Sequence, residues 1–139
     1  MKKIIYKLTY LTALFALFYS CDDVERVYYN DGAETVLTLS DDNLVLNEEN
    51  AANEILTLTW TQPDFGFSAA ALYSVQIDVQ GGDFSNPQII SVGGAFDKTF
   101  TVDELNAKLL SLSMVPNEEG VASFRIKATL SEYQEIYSN

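Results

Sequence analysis

The feature that most constrains this chain is a period-two alternation of apolar and polar side chains, which recurs from residue 37 to residue 130. Successive side chains of a β-strand point to opposite faces, so this alternation predicts strands with one face toward a core. The cleanest example is residues 56–60, where Leu56, Leu58 and Trp60 alternate with threonines, which predicts that Trp60 points inward. The other predicted strands lie at residues 37–39 with 44–46, 73–79, 88–92, 98–102 and 124–130.

One segment departs from the strand pattern. Thr101 and Glu104 have the spacing of a capping box, in which the two residues cap each other's backbone donors at a helix start. Leu105, Leu109 and Leu112 then recur at helical spacing. The sequence therefore predicts a single short helix between two strands.

Six or seven short amphipathic strands separated by turns predict an all-β, antiparallel sandwich of the immunoglobulin or fibronectin III type. Residues 124–128 match the penultimate strand of that fold. Only residues 135–139 follow, which we interpret as too short for a last strand, so the last strand is expected to be missing. An unpaired edge invites strand addition, and we expect the chain to be a fragment of a longer protein.

The amino-terminal residues have the order of a secretory signal. Three lysines lie within the first seven residues, residues 8–18 are apolar apart from two threonines, and the small Ser20 precedes the cysteine. That order predicts a signal peptide over residues 1–20. The alternative is an uncleaved anchor helix, but a membrane-spanning helix needs about 20 predominantly apolar residues.

Cys21 is the only cysteine of the chain, so it has no partner for an internal disulfide. Residues 17–21 resemble the lipobox of bacterial lipoproteins, although Phe18 occupies a position where that pattern prefers leucine. The resemblance implies that Cys21 carries the lipid anchor. Two aspartates follow it, which resembles the signal that sends some lipoproteins to the outer face of the outer membrane. Residues 21–35 are interpreted as a lipidated acidic tether.

The charge of the chain excludes several classes of function. Removal of residues 1–20 takes three of the eight basic residues, so five stand against 20 acidic ones and the net charge falls from −12 to about −15. Nucleic-acid binding needs clustered lysine and arginine and is excluded. The chain contains no histidine, and no carboxylate pair, metal-ligand spacing or phosphate-binding loop is singled out. We therefore predict no enzyme activity, no metal and no cofactor.

Three blocks of sequence, in this order and spacing, resemble the amino-terminal domain of SusE-type outer-membrane lipoproteins. The blocks are residues 44–52, residues 56–67, and residues 100–106 leading to 124–128. The resemblance implies a cell-surface lipoprotein of a starch or polysaccharide uptake system, associated with outer-membrane uptake proteins. It also implies that residues 36–139 form an immunoglobulin-like spacer domain, incomplete at its carboxyl end. Glycan binding in that family belongs to later domains, so no binding residues are carried over.

Three phenylalanines are the best candidate site within the chain itself. Phe65 and Phe67 lie on one loop and Phe84 on a turn, and exposed rings commonly pack against the CH faces of sugars. The opposing interpretation is that these rings close the end of the core, because phenylalanine is among the most often buried residues. Two other functions stay open: an independent glycan-binding module, and a periplasm-facing structural lipoprotein that binds envelope proteins.

Overall fold

The computed structural model describes residues 34–132 and 134–138. The predicted signal peptide, Cys21 and most of the predicted tether lie outside the described residues. The strands are β1 (Leu37–Leu39), β2 (Glu54–Trp60), β3 (Leu72–Val79), β4 (Gln88–Gly93), β5 (Asp97–Thr101), β6 (Ala122–Ser131) and β7 (Gln134–Tyr137). A short 3-10 turn, Glu48–Asn50, precedes β2, and one α-helix, α1 (Val102–Ser111), separates β5 from β6.

The strands form two antiparallel sheets. One has three strands in the order β1-β2-β5, and the other has four in the order β4-β3-β6-β7. Buried side chains from both sheets join in one apolar cluster, so the two sheets enclose a common core. The all-β class, the antiparallel sheets and the sandwich architecture predicted from the alternation are confirmed.

The inward positions of the alternating runs supply this core. Leu56, Leu58 and Trp60 are 1%, 0% and 6% exposed, which confirms the inward orientation predicted for Trp60. Removing such side chains from water is the main favourable term in folding. The remaining core members are Phe65, Ala71, Tyr73, Val75, Ile77, Phe100, Leu105, Ile126 and Ala128.

The predicted short helix is confirmed, and one half of its predicted capping box forms. The Thr101 side chain accepts a hydrogen bond from the backbone N–H of Glu104 at 3.3 Å, which satisfies one of the free donors of the first turn. The Glu104 carboxylate instead pairs with the Lys98 ammonium at 2.8 Å. Leu105 is buried and anchors α1 to the core.

The structure differs from the sequence prediction for the first strand. Strand β1 ends at Leu39, and residues 44–46 form no strand, although Leu44 and Leu46 pack against the core. Between them, Asp41 accepts a hydrogen bond from the backbone N–H of Asn43 at 3.0 Å. An aspartate that bonds the backbone two residues later makes a turn, which interrupts the pairing with β2.

The sequence predicts that the last strand is missing, and this prediction is wrong, because a further strand follows β6. Residues 134–137 form β7 and pair with β6 from Lys127 to Ser131. The pairing extends one residue further, because Ile126 and Ser138 exchange hydrogen bonds at 2.9 Å through the Ser138 hydroxyl and backbone N–H. Four residues are enough here because β6 is already held on its other side by β3.

Candidate functional site

Two of the predicted phenylalanines lie together on the loop between β2 and β3. The rings of Phe65 and Phe67 have centroids 6.4 Å apart. Phe65 is 1% exposed and belongs to the core, whereas Phe67 is 36% exposed. The loop turns at Gly66, which has a φ of 78° and whose N–H bonds to Asp64 Oδ1 at 2.8 Å. Glycine suits this left-handed backbone because it has no Cβ.

Phe84 lies apart from this pair. It follows the carboxyl end of β3, whereas the loop of Phe65 and Phe67 precedes the amino end of the same strand. The structure therefore does not assemble the three rings into one cluster. Phe84 instead lies against the Arg125 guanidinium, with the guanidinium carbon 4.1 Å from the ring centroid. Cys21, the predicted lipidation site, lies outside the described residues.

A buried carboxylate holds Phe84 in place. Asp78, near the end of β3, is 8% exposed and accepts hydrogen bonds from the backbone N–H groups of Val79 at 2.8 Å and Phe84 at 2.9 Å. Phe84 itself has a φ of 55°, a left-handed conformation that is uncommon for a bulky residue. Such a conformation persists only where the surrounding structure enforces it, and here the carboxylate of Asp78 does so.

Arg125, on β6, contacts three side chains from other elements. Its guanidinium carbon lies 4.1 Å from the Phe84 ring centroid and 4.2 Å from that of Tyr137. Its Nε–H donates to Gln76 Oε1 at 2.6 Å. We call Phe84, Arg125 and Tyr137 the Arg125 stack.

The Arg125 stack lies on the outer face of the four-stranded sheet. Arg125 is opposite Gln76 in the register of β3 and β6, and directly paired residues point to the same face. The neighbours of Gln76 in β3, Val75 and Ile77, point into the core. Gln76 must therefore point outward. It is nevertheless only 5% exposed, so neighbouring side chains, including Arg125, cover it.

An ion pair borders the Arg125 stack. Lys127 pairs with Glu135, and the Tyr137 hydroxyl donates to the second carboxylate oxygen of Glu135 at 2.7 Å. Hydrogen bonds from Lys127 and then Tyr137 hold the pKa of Glu135 below its ordinary value of 4.5. The same contacts with Glu135 raise the pKa values of Lys127 and Tyr137. These shifts favour the charged carboxylate and ammonium, so the face is held by charge-assisted hydrogen bonds.

A second aromatic group consists of two core rings, Trp60 and Tyr73, and the exposed ring of Phe96. The ring centroids of Trp60 and Tyr73 are 6.0 Å apart, and those of Tyr73 and Phe96 are 5.2 Å apart. Trp60 Nε1 and the Tyr73 hydroxyl are buried and have no hydrogen-bond partner among the described residues. Burial raises the pKa of Tyr73 above its ordinary value. Both rings therefore act as apolar filling of the core.

Residues 34–132 and 134–138 contain neither of two further kinds of site. No group of three or more histidine, cysteine, aspartate or glutamate side chains in that part of the chain is arranged to hold a metal ion. Within the same residues, no helix has the length and apolar character needed to cross a membrane.

Sequence reasoning did not single out the residues of the Arg125 stack other than Phe84. Arg125 and Gln76 each occupy a polar position of an alternating strand, and such positions are usually solvated. Their contact depends on the register between β3 and β6, which the sequence alone does not reveal. Tyr137 lies in residues 135–139, which from the sequence are interpreted as too short for a strand. Its alternation with Ile136, which packs against the core, is the signal that points to β7.

The family model described as SusE outer membrane protein matches residues 22–127. A search of curated proteins and a search of solved structures each gave no match.

Proposed function

We propose, because this chain belongs to the SusE outer membrane protein family, that it is a cell-surface lipoprotein of a starch or polysaccharide uptake system. In this proposal Cys21 carries the lipid, residues 21–35 form the tether, and residues 36–139 are a spacer domain. Binding of the starch-like glycan then depends on domains that are not part of this chain, and the partners are the uptake proteins of the same outer membrane.

The observation that supports the anchor most directly is the position of the family match. It begins at Asp22, immediately after Cys21. That boundary lies one residue after the cleavage site predicted from the lysines, the apolar run and Ser20. A lipid-modified cysteine at the first position of the mature chain supplies several acyl chains, and stable anchoring takes more than one chain.

The direction in which the chain enters the domain supports the spacer role. Leu37 pairs with Trp60, and the Val36 carbonyl accepts a hydrogen bond from the backbone N–H of Thr61 at 3.1 Å. The tether therefore joins the sandwich at the end where β2 finishes, which is also the end that carries the loop of Phe65 and Phe67. In a lipid-anchored protein, the loop of Phe65 and Phe67 thus lies at the end of the sandwich that the anchored segment enters.

The anchor is tested by replacing Cys21. Cells that produce the chain with its own leader are labelled with a radioactive or clickable fatty acid, and membranes are separated from soluble protein. We expect label and membrane association for the native chain, and loss of both for Cys21→Ser. A matched control, Ser20→Ala, keeps a small residue before the cysteine and should retain both. Unlabelled native protein in the membrane fraction would exclude lipidation.

The surface location is tested on intact cells. External protease should degrade the tethered domain while a periplasmic marker protein stays whole. Protection of the domain in intact cells, with degradation after the outer membrane is opened, would favour the periplasm-facing structural lipoprotein.

The spacer role is tested by calorimetric titration of the detergent-purified protein with maltoheptaose. We expect no heat of binding at millimolar sugar. Binding that Phe67→Ala abolishes in a protein that still folds would instead establish a glycan-binding module on that loop.

The proposed extent of the domain is tested by the size of the native product. An antibody against residues 36–139 is used to probe outer-membrane fractions from the source cells. A band several times larger than the chain agrees with a spacer followed by further domains. A band at the mature length would refute the proposal that binding belongs to such domains.

A further inference from the structure

We propose that the Arg125 stack binds the carboxylate of an acidic sugar, such as a uronate unit of a polysaccharide. This goes beyond a spacer role and concerns a ligand that is chemically different from neutral starch. The choice of a sugar as the carrier of the carboxylate rests on the proposed function, whereas the choice of a carboxylate rests on the geometry of Arg125.

Most of the hydrogen-bonding capacity of Arg125 is uncommitted. A guanidinium has five N–H donors, and the one on Nε is used by Gln76. No carboxylate among the described residues lies within ion-pair distance of Arg125. The four donors on the two terminal nitrogens therefore have no acceptor in the described part of the chain.

The two acidic side chains on the same face are occupied elsewhere. One oxygen of Glu135 pairs with Lys127, and the other accepts the hydroxyl of Tyr137. Asp78 accepts two backbone N–H groups, one through each of its oxygens. Both carboxylates are thus satisfied without Arg125, so the guanidinium stays available for a carboxylate from outside.

Two aromatic rings contact the guanidinium of Arg125. The guanidinium carbon lies 4.1 Å from the ring centroid of Phe84 and 4.2 Å from that of Tyr137. Both contacts are of the cation–π kind, and the donors along the terminal N–H edge have no acceptor among the described residues. Two parallel N–H bonds along that edge match the two oxygens of a carboxylate, which is the bidentate geometry that arginine favours.

The surroundings suit a pyranose ring that carries the carboxylate. Tyr137 is 37% exposed although one side of its ring meets Arg125, so part of the ring is free to pack against sugar CH groups. Ser74 and Ser91 are directly paired in the register of β3 and β4. Ser74 has the same parity as Gln76, so both hydroxyls lie on the outer face and can bond sugar hydroxyls. Physiological salt largely screens charges beyond about 8 Å, and the nearer carboxylate of Glu135 is paired with Lys127.

The test is calorimetric titration of the detergent-purified protein with trigalacturonate, at physiological salt and neutral pH. Maltotriose serves as the neutral ligand of equal length, and hexaglutamate as a carboxylate carrier that is not a sugar. We expect trigalacturonate to bind and the other two to bind at least tenfold more weakly. Equal or tighter binding of hexaglutamate would assign the site to acidic proteins. Failure of trigalacturonate to bind would overturn the proposal.

Variants separate the guanidinium from charge alone. Arg125→Lys keeps the cation but lacks the planar pair of donors, so its dissociation constant for trigalacturonate should rise about tenfold or more. Lys108→Gln removes one positive charge from α1, away from this face, and should leave binding unchanged. Melting curves identify any variant that has lost its fold. Equal affinity of Arg125→Lys and the native protein would refute bidentate recognition. Lipidation and surface exposure are measured separately, so their failure is distinguishable from a failure of this site.

Discussion

Replacement of Phe65 tests whether the loop between β2 and β3 closes the core or presents rings to a ligand. Phe65 is 1% exposed and belongs to the core cluster, whereas its neighbour Phe67 is 36% exposed. Phe65→Ala removes a ring whose surroundings cannot fully collapse, and such changes cost about 3 to 5 kcal/mol. Phe67→Ala removes a ring that is already partly in water, so we expect a cost of about 1 to 2 kcal/mol.

The expected loss is a large part of the total stability. Domains of this size have free energies of unfolding of about 5 to 15 kcal/mol. Each kcal/mol lowers the melting temperature by about 4 to 8 °C for a domain of 60 to 100 residues. Phe65→Ala should therefore melt at least about 12 °C below the native protein, and Phe67→Ala about 4 to 16 °C below it, with the smaller shift of the two.

The assay is thermal unfolding followed by circular dichroism, with urea unfolding to give free energies. Tyr137→Leu, on the outer face, is a control for the loss of an aromatic ring outside the core. If Phe65→Ala melted within about 2 °C of the native protein, the assignment of Phe65 to the core would be refuted. The ring would then have to be reconsidered as a ligand contact.

Three further predictions concern single groups. Tyr73→Phe removes a buried hydroxyl that has no hydrogen-bond partner among the described residues. Urea unfolding should therefore show an unchanged free energy of unfolding or a gain of up to about 1 kcal/mol. A loss of more than about 1 kcal/mol would reveal a hydrogen-bond partner. Gly82→Ala places a Cβ against the carboxylate of Asp78, which holds the β3–β4 loop, so it should lower the melting temperature. The control Gly94→Ala places its Cβ in open space and should leave the melting temperature unchanged. Equal melting temperatures of the two variants would contradict the close approach of Asp78 to Gly82. Glu135 has a folded pKa below 4.5, so its contribution to stability is present above that value and is lost as pH falls through the lower folded pKa. The difference in unfolding free energy between the native protein and Glu135→Gln should therefore shrink as pH falls below 4.5, as should the effect of removing Lys127, and a pH-independent difference would refute this linkage.

The pattern of the strands could be read from the sequence because each element carries its own local signal. Leu56, Leu58 and Trp60 alternate with threonines, and only a strand places them on one face. The helix start at Thr101 is equally local, since a hydroxyl and a backbone N–H three residues later suffice to define it. The sandwich then follows, because amphipathic strands must cover their apolar faces with one another. The family could be recognised for the same reason, from blocks of local sequence in a fixed order.

The arrangement of side chains between strands was decided only by the tertiary structure. Phe65, Phe67 and Phe84 are comparable in the sequence, yet one is core, one is partly exposed and one contacts a cation at the other end of β3. Which residues meet across a sheet depends on register, and a shift by one residue exchanges the two faces. The contact of Arg125 with Gln76, 49 residues apart, therefore has no local signature. The four residues of β7 form a strand for the same reason: β6 supplies their hydrogen-bond partners, and a segment that short does not specify a strand by itself.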